Sequence, residues 1–99
     1  MSKQTKITRS ARGQECQIRV PGVCNGMPDT TVLAHLNGGG IAMKHNDIHG
    51  AYACSSCHSF VDGGYAQTEI SRNLARLWHL DGIIRTQQLM INEGLINYE

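Results

Sequence analysis

The chain has 99 residues, 40% hydrophobic and 17% charged, one small domain's worth. It holds no run of about 18 apolar residues, so no membrane-spanning helix is expected, and its apolar content excludes a disordered acidic tail. The net charge is +1 but uneven: residues 1–19 carry five cations against Glu15, a net +4, and residues 20–99 carry four cations against seven acids, a net −3.

The first 15 residues read as an irregular basic arm, and residues 16–99 as one domain. A basic arm on a mildly acidic body points to an anionic partner such as nucleic acid. Lys3, Lys6, Arg9, Arg12 and Arg19 are the candidate contacts; a solvated terminus is the alternative. The opening residues Met1 to Lys6 lack the apolar core of a secretory signal, so the expected compartment is the cytoplasm.

Gln17-Ile18-Arg19-Val20 alternates and predicts a short strand ending at Pro21. Residues 21–30 hold both prolines with Gly22, Asn25, Gly26 and Asp29, and read as turns. Thr31 to Leu36 is the best strand, with Leu33 and His35 on one face and Val32 and Ala34 on the other. Asn37 and Gly38-Gly39-Gly40 break it, and residues 41–48 read as loop. The glycine run reads as flexible loop, or as a place where backbone approaches a phosphate. Gly50 to Ala53 is a second short strand. A helix begins near Ser55 or Ser56 and stops at Gly63-Gly64. A second is expected from Tyr65 to Leu80, on an apolar stripe of Ile70, Leu74, Leu77 and Trp78 that reads as core. Asp81 or Gly82 punctuates. A third, at about 82–92, uses Ile84, Leu89, Met90 and Ile91 and closes at Gly94. Leu95 to Tyr98 reads as an edge strand. The fold class is α+β, with a core at about 31–63 followed by two C-terminal helices at about 65–93.

Four cysteines stand at 16, 24, 54 and 57. A reducing compartment disfavours disulfides. Cys54-Ser55-Ser56-Cys57 is a C-x2-C knuckle, and Pro21-Gly22 reverses the chain between Cys16 and Cys24. Two turn-borne pairs distant in sequence predict a structural four-cysteine zinc site, the staple a domain this small needs. Unliganded buried thiols and redox chemistry are the alternatives.

His58 and Asp62 are four apart on the helix after the knuckle, so they share a face. An imidazole and a carboxylate there suit a divalent cation with open positions. His35, on the preceding strand, faces that pair across the hairpin and can take a proton from water. His58 could instead serve the zinc, and Asp62 could be a plain polar residue at a helix end. His45, His49 and His79 read as surface residues; His49 could also help bind phosphate.

The run Ala34-His35, then Asn46-Asp47, then Cys54-x2-Cys57-His58-x3-Asp62 resembles the HNH endonucleases, the His-Me finger or ββα-metal group. Over residues 9–98 the chain also resembles small nucleases of lambdoid prophages. That likeness rests on Ala11-Arg12-Gly13-x-Glu15-Cys16-Gln17, Pro21-Gly22-Val23-Cys24-Asn25-Gly26 and Val32-Leu33-Ala34-His35. The resemblance implies a zinc-stapled ββα-metal finger that hydrolyses DNA phosphodiester bonds in the cytoplasm of a bacterial host. It implies His35 as general base, braced by Asp47 or by its rival Asn46. It implies His58 and Asp62 as ligands of a catalytic Mg2+ or Mn2+, and Cys16, Cys24, Cys54 and Cys57 as ligands of structural zinc. Two departures stand out. Many of these enzymes place a ligand directly before the base, where this chain has Ala34, and Asp62 replaces the more frequent His or Asn. The implied partner is DNA, with a homodimer favoured for cutting both strands. The alternative is a catalytically inactive zinc-stapled module that binds DNA or protein.

Overall fold

The computed structural model describes residues 5–36 and 46–97. Lys3, the glycine run at 38–40, His45 and Tyr98 lie outside the described residues. The chain is α+β: three α-helices and a two-stranded antiparallel sheet among the described residues.

α1 spans Lys6–Ser10, capped by the Thr5 hydroxyl, which accepts from the Thr8 amide at 3.0 Å. Over its described part, then, the basic stretch is not irregular. It is tied to the body through buried Ala11 and a 2.8 Å hydrogen bond between the Ser10 and Tyr52 hydroxyls.

Residues 17–20 do not form the expected strand. Gln17 donates one backbone bond to Tyr52 at 2.7 Å, but Arg19 then turns to φ 56°. The amides of Arg19 and Val20 are aimed at the sulfurs of Cys16 and Cys57 instead of a neighbouring strand.

β1 (Val32–His35) and β2 (Gly50–Ala53) pair antiparallel, Leu33 opposite Tyr52 and His35 opposite Gly50. Alternation divides the core as expected. Leu33 joins Tyr52, Ala11 and Met90 in one cluster. Ala34 joins Ile18, Val20, Phe60 and the buried cysteines in the other. Gly50 has no room for a side chain, since a Cβ there would meet Leu33 Cγ at 2.8 Å. α2 runs Ser55–Val61, close to the expected bounds.

The two predicted C-terminal helices are one, α3, Arg72–Asn92. Residues Gly64–Gln67 form a 3-10 turn instead. The Thr68 hydroxyl closes that turn by donating to Tyr65 O and accepting from Ile70 N. Ser71 then caps α3 by accepting from Leu74 N at 3.1 Å. Gly82 does not punctuate, because a Cβ there would meet Ile18 Cα at 3.0 Å and Gln17 O at 3.2 Å. The glycine is where α3 presses on the cysteine-bearing segment. The helix costs about 1 kcal/mol against alanine there, and the close packing offsets it. α3 does close at Gly94, in a Schellman arrangement with Leu95 N donating to Met90 O and Gly94 N to Ile91 O. Residues 95–97 are not a strand; Leu95 and Ile96 fold back on the Tyr52 cluster.

The predicted stripes are partly displaced. Trp78 is partly buried against the core, its ring tilted at 43° and 6.2 Å from Phe60. Leu77 and Ile84 face solvent, 52% and 65% exposed, and Ile83 is buried instead. The buried side of α3 runs through Ala75, His79, Ile83, Thr86 and Met90, and Leu77 and Ile84 fall outside it.

Candidate functional site

The four cysteine sulfurs all lie within 4.8 Å of one another, and Cys24 and Cys54 are 3.9 Å apart. Sulfurs around one tetrahedral zinc sit about 3.8 Å apart, given Zn–S near 2.3 Å. Backbone amides point at three of them: Arg19 at Cys16, Val20 at Cys57, and both Asn25 and Cys57 at Cys54. Such donors stabilise thiolates, not thiols. Cys16 is the readiest to ionise, its thiol pushed down to about 4, first by a hydrogen bond with Cys57. That same contact, with burial, pushes Cys57 up, and burial raises Cys24. A divalent metal would release the protons held on those two. The four residues are thus placed to hold a metal such as zinc, and the donor set fits it.

Seven to eight residues before Cys54, the chain passes through Asn46 and Asp47 into a 3-10 turn, Asp47–His49. Asp47 Oδ1 accepts from His35 Nε2 at 2.8 Å, at the end of β1. Its other oxygen accepts from the Thr5 and Thr8 hydroxyls. The Thr5 contact and then the histidine hold the Asp47 carboxyl below the usual carboxylate range. Asn46 is exposed and caps the turn without a side-chain bond, so of the two rivals it is Asp47 that touches His35. A carboxylate can only accept, so Nε2 carries the hydrogen and Nδ1 keeps its lone pair. The His35 side chain is 39% exposed, open to water.

His58 and Asp62 do not line one hollow. His58 faces a broad groove of about 610 Å³ walled by Thr8, Arg9, Arg12, Thr31 and Leu33. Asp62 borders a smaller hollow with Leu36, Arg72, Arg76 and His79. Among the described residues, the cysteines alone gather three or more metal-binding side chains. His58 and Asp62 therefore offer two donors from one helix. Each borders its own hollow, so a cation shared by both would take most of its ligands from water and a substrate phosphate.

Arg9 and Arg12 line the groove, whereas Arg19 is turned inward to Cys16 O and the Gln17 side chain. Lys6 is exposed on α1, and His49 is exposed. His79 is not a surface residue. It is 3% exposed, its Nε2 bonded at 2.8 Å to Ala34 O, and burial lowers its basicity. Its i, i+4 relation to Ala75 on the buried side of α3 was the available signal. The Thr5 and Thr8 contacts, and Arg85 donating to Gln17 O at 2.9 Å, join segments far apart in sequence and left no local trace.

A protein-family model described as "Putative nuclease YbcO" matches residues 5–95. The chain belongs to the YbcO family. A protein of Escherichia coli (strain K12) with that same description is 41% identical over 100 aligned positions, covering 91% of this chain and 95% of the relative. The counterpart from Enterobacteria phage 82 matches to the same extent. A solved structure, described as a putative bacteriophage protein from Escherichia coli K-12, superposes with a TM-score of 0.73 at 42% identity. It covers 88% of this chain and 98% of the other. The match therefore runs over nearly the whole length of this YbcO-family chain and of its relatives. No helix among its described residues is long and apolar enough to cross a membrane.

Proposed function

We propose that this YbcO-family protein is an HNH-type endonuclease that hydrolyses DNA phosphodiester bonds in the cytoplasm of a bacterial or phage-infected cell. The observation that carries this reading is the His35–Asp47 pair. It puts a half-exposed imidazole at a strand end, with Nε2 committed to a carboxylate at 2.8 Å and Nδ1 left to accept a proton. His35 Nδ1 takes a proton from water. The resulting hydroxide attacks phosphorus, the ester P–O bond breaks, and the leaving oxygen takes up a proton from solvent. Asp47 fixes the tautomer and stabilises the imidazolium. A divalent cation, Mg2+ or Mn2+, on His58 and Asp62 would supply charge stabilisation at the phosphate. Arg9 and Arg12 approach the backbone from the groove beside His58, with Lys3 and Lys6 adding charge. Such contacts give affinity without sequence reading. Zinc on the four cysteines is structural. Two copies would cut both strands, and light scattering with and without DNA tests that homodimer.

A plasmid-nicking assay at low salt, with Mg2+, Mn2+ or neither, tests the whole. Wild type nicks with a cation; His35→Ala and Asp62→Ala do not, while each keeps about one zinc per chain. The second reading, a zinc-stapled module that binds without cutting, is favoured by Ala34, which supplies no ligand before the base. Wild type as silent as both variants on duplex, branched and single-stranded DNA selects it.

A further inference from the structure

Outside the basic N-terminal stretch, the body holds four cations: Lys44, Arg72, Arg76 and Arg85. Arg85 is spent on structure, donating to the backbone oxygens of Gln17 and Ile18. Arg72 and Arg76 stand one helical turn apart at the start of α3, and both line the hollow that Asp62 borders. Two of the body's few cations thus converge on one concavity of a part of the chain that is net acidic.

The rest of the hollow suits an anion. Its volume of about 100 Å³ is room for roughly three waters at about 30 Å³ each, the scale of a phosphate and not of a base. Leu36, Val61 and Ala75 give it an apolar wall, which strengthens a charge contact made against it. His79 borders it too, with its Nε2 already bonded to Ala34 O. Asp62 is the one acid there, leaving the lining net positive.

Leu36, the residue after β1, forms part of its wall. The groove of Arg9, Arg12 and His58 is separate. His58 borders the one and Asp62, a helical turn further on, borders the other.

We infer that Arg72 and Arg76 form a second phosphate subsite, which holds a backbone phosphate of the nucleic acid apart from the groove of Arg9 and Arg12. This rests on the nuclease reading for its choice of ligand, but not on catalysis. The chain then grips the strand at two separate places.

The test is binding, measured apart from cutting. Fluorescence anisotropy of a short labelled duplex is followed across a salt series, with no divalent cation added. Arg72→Gln/Arg76→Gln is compared with wild type and with Gln88→Glu/Asn92→Asp, which changes the net charge equally at the exposed far end of α3. Zinc content and thermal melting confirm that each is folded. The subsite predicts a plot of log affinity against log salt shallower by about 1 in the arginine variant, with roughly tenfold weaker binding at low salt. The charge-matched control keeps nearly the wild-type slope. Equal slopes in the two variants overturn the subsite, and so does a wild type that fails to bind DNA at low salt. Nicking is scored on the same preparations. Binding that depends on Arg72 and Arg76 without any nicking sinks the catalytic reading and leaves the subsite standing.

Discussion

The His35–Asp47 contact makes the sharpest residue-level prediction. Asp47→Asn keeps the shape but removes the charge and the obligatory acceptor, so Nδ1 no longer holds the lone pair by default. The nicking rate should fall by roughly 10²-fold or more, with DNA affinity unchanged. The same carboxyl reports on stability. Thr5 and His35 lower its pKa in the folded state, so its contribution is full above the unfolded value, about 3.9. It is lost as pH falls through the lower folded value. Thermal melts between about pH 6 and pH 2 should therefore show a steeper acid limb for wild type than for Asp47→Asn; parallel limbs would refute the assignment. Thr31 makes the opposite kind of prediction. Among the described residues its hydroxyl is a buried polar atom without a partner, at 4% exposure. Thr31→Val replaces it with a methyl and should gain about 1 kcal/mol, or about 4–8 °C in Tm for a domain this size. A lower Tm would mean the hydroxyl is satisfied in solution. The family resemblance points to Asp47 or Asn46 as the brace of His35, whereas nothing in the sequence marks the Thr31 hydroxyl. That Asp47 rather than Asn46 meets the histidine is decided by the phase of the Asp47–His49 turn, which one residue's shift reverses.

At the scale of elements, the hairpin and α2 were legible because local signals agree there. β-branched and apolar residues alternate in β1, small residues pair across from them in β2, and a cysteine knuckle sets where α2 begins. The C-terminal half was misread at Gly82 for a physical reason. Glycine in a helical pattern has two meanings, a stop or a close approach, and only tertiary packing selects between them. Here the nearest atoms to a Cβ include Ile18 Cα and Gln17 O, backbone that cannot swing aside as a side chain would. Gly82→Ala gains about 1 kcal/mol of helix propensity, yet the displaced backbone should cost about 1–3 kcal/mol. The net expectation is a lower Tm together with weaker zinc retention, since Gln17 and Ile18 follow Cys16 directly. Competition against a chromophoric chelator reads the second effect. A variant that is more stable and holds zinc equally well would show that α3 does not press on this segment in solution.

In the whole molecule, α3 is the element that joins everything else, although it carries no cysteine. It bonds β1 through His79 to Ala34 O, β2 through Thr86 accepting from Tyr52 N at 3.0 Å, and the cysteine segment through Arg85 to Gln17 O. The two clusters also meet on it, Ala75 and Ile83 in one and Met90 in the other. A chain this short has little core to spare when a staple is withdrawn. Removing the metal leaves buried thiols that repel as thiolates or must be protonated, so the segment of Cys16 to Val20 loses its anchor. Gln17 and Ile18 are the surface on which Gly82 and Arg85 rest. Loss of zinc should therefore unfold α3, not merely loosen the knuckle. Adding a strong zinc chelator should abolish most helical far-UV circular dichroism in a single transition, and re-adding zinc should restore it. Near-complete helical signal in the chelated protein, with an unchanged melting curve, would show that the hairpin and α3 hold together without the cysteine cluster. The staple would then serve the groove and not the fold.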